Sequence, residues 1–201
     1  MIRNVIFDVG DVLVKTNVRE AISAHGYDAA MTDHIMQATY DSPLWKELDR
    51  GIWFYSDVIA QFCESAPDLT EQIKVVFRNT SGFIIKHSDT DEWIQMQQKK
   101  ALRVFCLSNM PHKVCCDCGK ELNFLQYTDG FLFSCNVGLL KPDPAFYRLM
   151  LRDYRLQPEE CIFVDDHAEN VEAAEKLGIN GIVFSNREQA EHEIEQIRRR
   201  V

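Results

Sequence analysis

Five short apolar runs divide the chain, and most are near-continuous rather than alternating. They cover Val5–Phe7, Leu102–Leu107, Phe131–Phe133, Cys161–Val164 and Ile182–Phe184. Continuous runs rich in Val, Ile, Leu and Phe are typical of strands that are buried on both faces of a parallel sheet. We therefore predict a parallel sheet that contains these five strands.

Helical patterns lie between and after the later strands. One is predicted over Pro144–Asp153 and another over Asn170–Leu177, which Gly178 follows at the place where a helix end favours glycine. A charged final helix is predicted over Arg187–Val201. Strands that alternate with helices through right-handed crossovers predict a doubly wound α/β domain.

The interval from residue 16 to residue 90 has a different pattern. It contains amphipathic stretches at Trp45–Leu48, Val58–Cys63 and Ile73–Phe77, but no convincing strand. Because the interval follows the first strand, we expect a helical lid that lies over the carboxyl end of the sheet. The aromatic residues of the lid are expected mainly in its own core: Trp45, Trp53, Phe54 and Tyr55.

This pattern predicts two domains. Residues 1–15 and 91–201 are predicted to form the α/β core, and residues 16–90 a small all-α cap. Hydrophobic residues make up 46% and charged residues 26% of the 201 residues, which is typical of a folded, water-soluble protein. At this size, a monomer is the simplest expectation.

Charge and hydropathy exclude two classes of partner. The formal net charge is −9, whereas sequence-independent nucleic-acid binding needs a basic surface that displaces counterions. No apolar stretch approaches the ~20 residues that are needed to span a bilayer. We therefore expect neither a nucleic-acid nor a membrane partner.

The seven cysteines indicate reduced thiols. Their number is odd, and the first residues, MIRNVIFD, lack the apolar region of a secretory leader, so a cytoplasmic location is expected. Three cysteines occur in "VCCDCGK", Val114–Lys120. Structural zinc sites usually combine two ligand pairs, and no second pair is present, so free thiols are predicted.

Polar residues occur where four predicted elements end or turn. Asp8 ends the first strand, Ser108 follows the second in "LSNM", and Lys141 lies in "GLLKPDPAFY". Asp165 and Asp166 end the fourth strand in "FVDDHAEN". Open α/β sheets place their functional groups at the carboxyl ends of the strands, so these side chains are expected to meet there.

Together these groups suit phosphate chemistry. Clustered carboxylates favour Mg²⁺, which prefers one or two carboxylates with waters and a substrate phosphate. The Ser108 hydroxyl and nearby backbone N–H groups would bind phosphate oxygens, and Lys141 adds a compact positive charge. Asp8 could then attack phosphorus to form an aspartyl-phosphate that water hydrolyses. The predicted substrate is a small phosphorylated metabolite.

The four segments, in this order, resemble the haloacid dehalogenase superfamily of phosphohydrolases over essentially the whole chain. The resemblance implies a Rossmann-like three-layer α/β/α core, a helical C1-type cap after the first strand, and Mg²⁺ dependence. It assigns Asp8 as the nucleophile, Ser108 to the phosphate motif and Lys141 to the lysine motif. Asp165 and Asp166 correspond to the acidic metal motif.

The resemblance also implies individual contacts. Metal ligands would be the Asp8 carboxylate, the Gly10 backbone carbonyl and Asp166, with Asp165 assisting. Asn109 would lie beside the phosphate or the attacking water. Asn170 is expected to brace the metal-binding loop.

Gly10 departs from the family pattern. Phosphatases of this family usually carry a second Asp there, which acts as general acid and then as general base, a contribution of ~10²–10⁴-fold. Asp11 is one residue further, and in an extended segment its side chain should point to the opposite side. Both residues are still expected beside the substrate, with water or Asp11 replacing the missing acid.

Within the class of small phosphorylated metabolites, a narrower substrate is predicted. The form F-D-x-G-x-V-L-V and the segment Leu48–Phe62 resemble the branch that contains the bacterial alpha-D-glucose-1-phosphate phosphatase, which favours a sugar phosphate such as glucose 1-phosphate. An anomeric oxygen leaves readily and so needs less protonation. Two alternatives remain open: haloacid dehalogenation, and a catalytically weak regulatory or binding protein, for which Gly10 is the best support.

Overall fold

A computed structural model describes residues 1–200 of the chain. Within these residues the strands are β1 (Asn4–Phe7), β2 (Val14–Thr16), β3 (Ile84–Lys86), β4 (Arg103–Ser108), β5 (Gly130–Phe133), β6 (Cys161–Asp165) and β7 (Asn180–Val183). The α-helices are α1 (Val18–Ser23), α2 (Ala29–Ala38), α3 (Trp45–Arg50), α4 (Tyr55–Ser65), α5 (Thr70–Arg78), α6 (Thr90–Lys99), α7 (His112–Asp117), α8 (Pro144–Asp153), α9 (Ala168–Glu175) and α10 (Arg187–Arg200).

Five strands form one parallel sheet in the order β5-β4-β1-β6-β7. The first strand, β1, is central, and its last residue, Phe7, lies beside Cys106 of β4 and Val164 of β6. These five strands are the ones predicted, so the predicted parallel sheet is confirmed. Its order brings the carboxyl ends of β4, β1 and β6 next to each other.

Alternate strand residues face opposite sides of the sheet, and helices cover both sides. Phe7 packs on the side of α6 and α10, where its ring centroid lies 4.7 Å from that of Trp93. Ile6 packs on the other side, in a cluster with Phe146 of α8 and Ala174 of α9. The three-layer α/β/α fold is therefore confirmed.

The segment between β2 and β3 contains the helices α1 to α5. These two short strands pair antiparallel, with Val14 beside Lys86, and so bring the two ends of the helical segment together. The expectation that residues 16–90 contain no strand is wrong at β3, because a three-residue strand is defined by its partner rather than by a local pattern. The boundaries of a separate cap domain remain a prediction.

The predicted core position of the lid aromatics is half right. Trp45 packs against Tyr40, with ring centroids 4.7 Å apart, and the Tyr55 hydroxyl donates to the Phe77 carbonyl at 2.7 Å. Trp53 and Phe54 are instead 48% and 77% exposed. They lie in the connection between α3 and α4 rather than on a helix face, so the helical period does not turn them inward.

The final helix, α10, ends at Arg200. The helix predicted from Arg187 is thus confirmed as far as this residue, and Val201 lies outside the described residues. Across residues 1–200, every helix is too short or too polar to cross a bilayer.

A buried serine ties α3 to the core. The Ser134 hydroxyl donates to the Asp49 carbonyl at 2.5 Å and accepts from the Met110 backbone N–H at 2.9 Å. Gly51 ends α3 with a φ of +70°, and a Cβ there would lie 2.7 Å from the Cys135 Cα. The end of α3 therefore sits directly against the core beside the carboxyl end of β4.

Replacing this serine should loosen the contact. Ser134→Ala leaves the buried Asp49 carbonyl and Met110 N–H without their partner, so we expect the free energy of unfolding to fall by about 1–3 kcal/mol. Urea denaturation measures the change. The exposed Ser65→Ala serves as the control, and equal stability of the two variants would contradict the tether.

Candidate active site

The polar residues at the strand ends meet in one cavity. Asp8 follows β1, Ser108 ends β4 and Asp165 ends β6, which are neighbours in the sheet. The cavity has a volume of about 760 Å³. Eight of the nine predicted site residues line it: Asp8, Gly10, Asp11, Ser108, Asn109, Lys141, Asp166 and Asn170. The ninth, Asp165, is fully buried beside them.

Lys141 joins two strand ends. Its Nζ lies 2.8 Å from Asp8 Oδ1 and 2.6 Å from Asp165 Oδ2, and all three side chains are buried. A buried charge is tolerated only when it is paired and hydrogen-bonded. One cation between two carboxylates gives this trio a negative balance, which a further cation would offset.

Burial and neighbouring charges set the protonation of the trio. Burial and the Asp165 charge raise the pKa of Asp8 to about 6, although Lys141 and the Ser108 hydroxyl oppose the rise. Burial by itself would lower the pKa of Lys141, but the two carboxylates outweigh it and the pKa is raised. Lys141 is therefore a permanent cation at neutral pH, where the Asp8 carboxylate is the major form.

Asp165 is held by three donors. Its Oδ1 accepts from the His167 backbone N–H at 2.8 Å and from Asn170 Nδ2 at 2.9 Å, while its Oδ2 accepts from Lys141. This saturation suits a residue that orients its neighbours. The Asn170 contact fits the predicted bracing of the loop, a role that remains a prediction.

Asn109 fixes the backbone of the lysine segment. Its Nδ2 donates to the Lys141 carbonyl at 3.1 Å and its Oδ1 accepts from the Lys141 N–H at 2.9 Å. The implied position beside the phosphate is compatible with its place in the cavity wall. Both ends of its amide are already engaged, however, so what the geometry supports first is positioning of Lys141.

Three carboxylates could hold a metal ion. Oxygen atoms of Asp8, Asp165 and Asp166 all lie within 4.8 Å of one another. Asp166 is half-buried, and burial, together with the Asp165 and Asp11 charges, raises the pKa of this residue against the opposing effect of His167. An all-oxygen set with excess negative charge fits Mg²⁺, as predicted. The Gly10 carbonyl as a further ligand remains a prediction.

The turn after β1 is tighter than expected. Asp11 adopts a φ of +53°, and its Oδ1 accepts from the Thr16 N–H at 2.8 Å. The expectation of an extended segment at Asp11 is therefore wrong, because this residue closes a turn with its own side chain. A Cβ added at Gly10 would meet only Thr16 Oγ1, at 3.6 Å, so position 10 has room for a side chain.

The helical segment supplies residues that the sequence analysis did not identify. Among those that line the cavity are Tyr40, Asp41, Trp45, Lys46, Asp49 and Arg50. Asp49 is 8% exposed although it is a carboxylate. One signal could have found it: Trp45, Leu48 and Asp49 form an i, i+3, i+4 stripe of α3, so the helical period predicts an acid on the buried face.

The cysteine segment forms no metal site in the part of the chain that the structure describes. Cys115, Cys116 and Cys118 are free thiols, and the acidic trio is the group of potential ligands found within reach of one ion among residues 1–200. That this segment holds no zinc remains a prediction.

Comparison with known families adds to this geometry. A family model described as a haloacid dehalogenase-like hydrolase matches residues 2–178. The chain belongs to this family. A structure of a family member from Bacteroides thetaiotaomicron, in complex with magnesium and inorganic phosphate, superposes with a TM-score of 0.67 at 19% identity. That likeness covers 92% of this chain and 95% of the other, and it establishes the shared fold.

Curated relatives differ in length and in name. A D-ribitol-5-phosphate phosphatase of Bacteroides thetaiotaomicron is 26% identical over 89% of each chain. The drimenol cyclase drtB of Aspergillus calidoustus is also 26% identical, over 98% of this chain. The chain spans 37% of the length of that cyclase, so the match concerns one portion of the longer protein.

Removing the lysine charge should destabilise the site in a pH-dependent way. Lys141→Met leaves Asp8 and Asp165 buried without their cation, and we expect a loss of about 3–5 kcal/mol in the free energy of unfolding at pH 8. The loss should shrink at pH 5, because unpaired buried carboxylates have raised pKa values and become neutral as the pH falls.

The matched control is Lys74→Met, which removes an exposed ion pair with Glu71. We expect this control to change stability by less than about 1 kcal/mol. Equilibrium unfolding in urea at both pH values gives the comparison. This account of the trio would be contradicted if Lys141→Met lowered the free energy of unfolding as little as the control does. It would also be contradicted if the loss were larger at pH 5 than at pH 8.

Proposed function

We propose that this protein is a Mg²⁺-dependent phosphatase that hydrolyses a small phosphate monoester through an aspartyl-phosphate on Asp8. The observation that carries the proposal is the placement of the Asp8 carboxylate, held by Lys141, at the centre of an acidic cluster on the cavity floor. The family of hydrolases and the phosphatase named among the relatives support the same reaction class.

Each residue of the site has its own role in the proposed reaction. Asp8, Asp166 and the Gly10 carbonyl, with Asp165 assisting, would hold Mg²⁺, which supplies positive charge that offsets the phosphate oxygens. Ser108 and Lys141 bind and orient the phosphate, and Asn109 fixes the Lys141 backbone. A carboxylate oxygen of Asp8 attacks phosphorus as the ester oxygen leaves, and water then cleaves the aspartyl-phosphate.

The substrate class that we propose is a sugar phosphate, such as glucose 1-phosphate. The motif F-D-x-G-x-V-L-V motivates it, and the relative named for D-ribitol 5-phosphate acts on a polyol phosphate by its name. Polar side chains of the helical segment line the cavity and could form hydrogen bonds with the hydroxyl groups of a sugar; among them are Tyr40, Asp41 and Lys46. A cytoplasmic monomer remains our prediction for the state of the protein.

The two alternatives predict different behaviour. A dehalogenase attacks carbon and needs no metal, whereas three carboxylates gathered at one point favour a cation. A catalytically weak binding protein would not need a buried lysine that shares its charge between Asp8 and Asp165. The acidic cluster therefore favours phosphoryl chemistry over both.

The first test measures phosphate release from a panel of monoesters. We expect turnover with Mg²⁺, loss of activity with a chelator, and a loss of at least about 10³-fold in Asp8→Asn, because the amide cannot act as the nucleophile. The exposed Asp57→Asn is the control variant. Halide release from a 2-haloacid without metal, or phosphate release that Asp8→Asn retains, would contradict the proposal.

The second test concerns the substrate. Glucose 1-phosphate should be hydrolysed with a kcat/KM about tenfold or more above that of glucose 6-phosphate, because its anomeric oxygen leaves with less protonation. Phosphate release at equal enzyme and Mg²⁺ concentrations gives the ratio. Equal rates, or a preference for the 6-phosphate, would contradict the sugar 1-phosphate assignment while leaving the phosphatase assignment intact.

A further inference from the structure

Asp49 is a buried acid whose carboxyl group the reaction described above does not use. It lies on α3, is 8% exposed and lines the same cavity as Asp8 and Lys141. Within residues 1–200 its side chain forms no ion pair, and a hydrogen bond with the Trp45 side chain is the polar contact that favours its charged form. A buried carboxyl group without a cationic partner is unfavourable, and groups of this kind concentrate at functional sites.

The geometry of phosphoryl transfer places a requirement on the cavity. The attacking and leaving oxygens are roughly in line on opposite sides of phosphorus. Asp8 attacks from the sheet side, at the end of β1, so the leaving oxygen must lie toward the other wall. The helical segment contributes to the cavity wall, and Asp49 is a buried acid of that segment.

The sheet side lacks a proton donor at the position where it is expected. Residue 10 is glycine, and the neighbouring Asp11 carboxylate accepts from the Thr16 N–H in its own turn. The space at Gly10 is open except for Thr16 Oγ1 at 3.6 Å. The missing acid is thus not excluded by crowding, and its function can be supplied from the helical segment.

We propose that Asp49 is the general acid and general base of this enzyme and replaces the carboxylate that is absent at position 10. The inference rests on the proposed phosphatase function and adds a residue to it. As Asp8 Oδ bonds to phosphorus, the bond from phosphorus to the ester oxygen breaks and the Asp49 carboxylic acid gives its proton to that oxygen.

The second half of the reaction restores the acid. A water oxygen bonds to phosphorus, the Asp49 carboxylate takes a proton from that water, and the bond from phosphorus to Asp8 breaks. Inorganic phosphate leaves, and Asp8 is again a carboxylate while Asp49 is again a carboxylic acid. No further reactant is required.

Two features of the environment suit this role. Burial raises the pKa of Asp49 to about 7, and the negative charge of Asp8 adds to the rise. A hydrogen bond with Trp45 and the positive charges of Lys141 and Lys46 oppose it. A pKa near the working pH is the best compromise for a group that must both give and take a proton. The position of α3 is also fixed, because Ser134 binds the Asp49 carbonyl.

The dependence of rate on the leaving group tests the proposal. Phenyl phosphate needs a proton for its leaving oxygen, whereas 4-nitrophenyl phosphate releases a stable anion, and neither carries sugar hydroxyls. We expect Asp49→Asn to lower kcat/KM about 10²–10⁴-fold for phenyl phosphate and less than about tenfold for 4-nitrophenyl phosphate. Asp57→Asn, at an exposed acid of α4 outside the cavity, should leave the ratio between the two substrates unchanged.

A second variant separates proton transfer from folding. Gly10→Asp in the Asp49→Asn background places an acid in the open space at position 10, so phenyl phosphate hydrolysis should rise again by about tenfold or more. The role of Asp49 would be overturned if Asp49→Asn lowered kcat/KM equally for both substrates, or for neither. It would also be overturned if the double variant did not recover activity toward phenyl phosphate. A parent enzyme that hydrolyses neither ester would overturn the phosphatase assignment itself, and this proposal with it.

Discussion

Lys141 is buried between Asp8 and Asp165, and the arrangement of the cavity floor depends on this pair of contacts. Its Nζ reaches both carboxylates within 2.8 Å, which links the ends of β1 and β6 across the sheet. Without the cation, two buried carboxylates would repel each other and lose solvation. With it, Asp8 can remain an anion in a buried place, which is the condition for a carboxylate to act as a nucleophile at neutral pH.

The same trio explains why the site calls for a divalent cation. One lysine cannot neutralise Asp8, Asp165 and the half-buried Asp166, and a phosphate monoester brings further negative charge. Asp165 is already saturated by Lys141, Asn170 and a backbone N–H, so the freer oxygens belong to the other two carboxylates. The acidic cluster and the lysine therefore act as complementary parts: the lysine fixes the carboxylates in place, and their residual charge attracts the metal.

The parallel sheet and the strand-end residues could be predicted because both depend on short stretches of sequence. Continuous apolar runs mark buried strands; Ser108 and Asp165 each end one, and Asp8 directly follows one. What could not be predicted depends on contacts between distant segments. The strand β3 exists through its pairing with β2, the amide of Asn109 is engaged by a lysine 32 residues away, and Trp53 and Phe54 lie in a connection whose path the helical period does not describe. Asp49 lies in the helical segment, far in sequence from the strand-end motifs, so those motifs do not point to it.

The division of the site between the strand ends and the helical segment has a chemical consequence. In the proposed reaction, the nucleophile Asp8 and the acidic pair Asp165 and Asp166 lie at strand ends, and Lys141 reaches them from the connection between β5 and α8. The helical segment contributes further residues to the same cavity. A glycine at position 10 removes an acid from the sheet without disturbing the turn, since a side chain there would have met only Thr16. An acid on α3 would protonate the ester oxygen only when α3 is seated against the core, a contact that Ser134 and Gly51 provide. Proton transfer and the position of the helical segment at the cavity would then depend on the same contact.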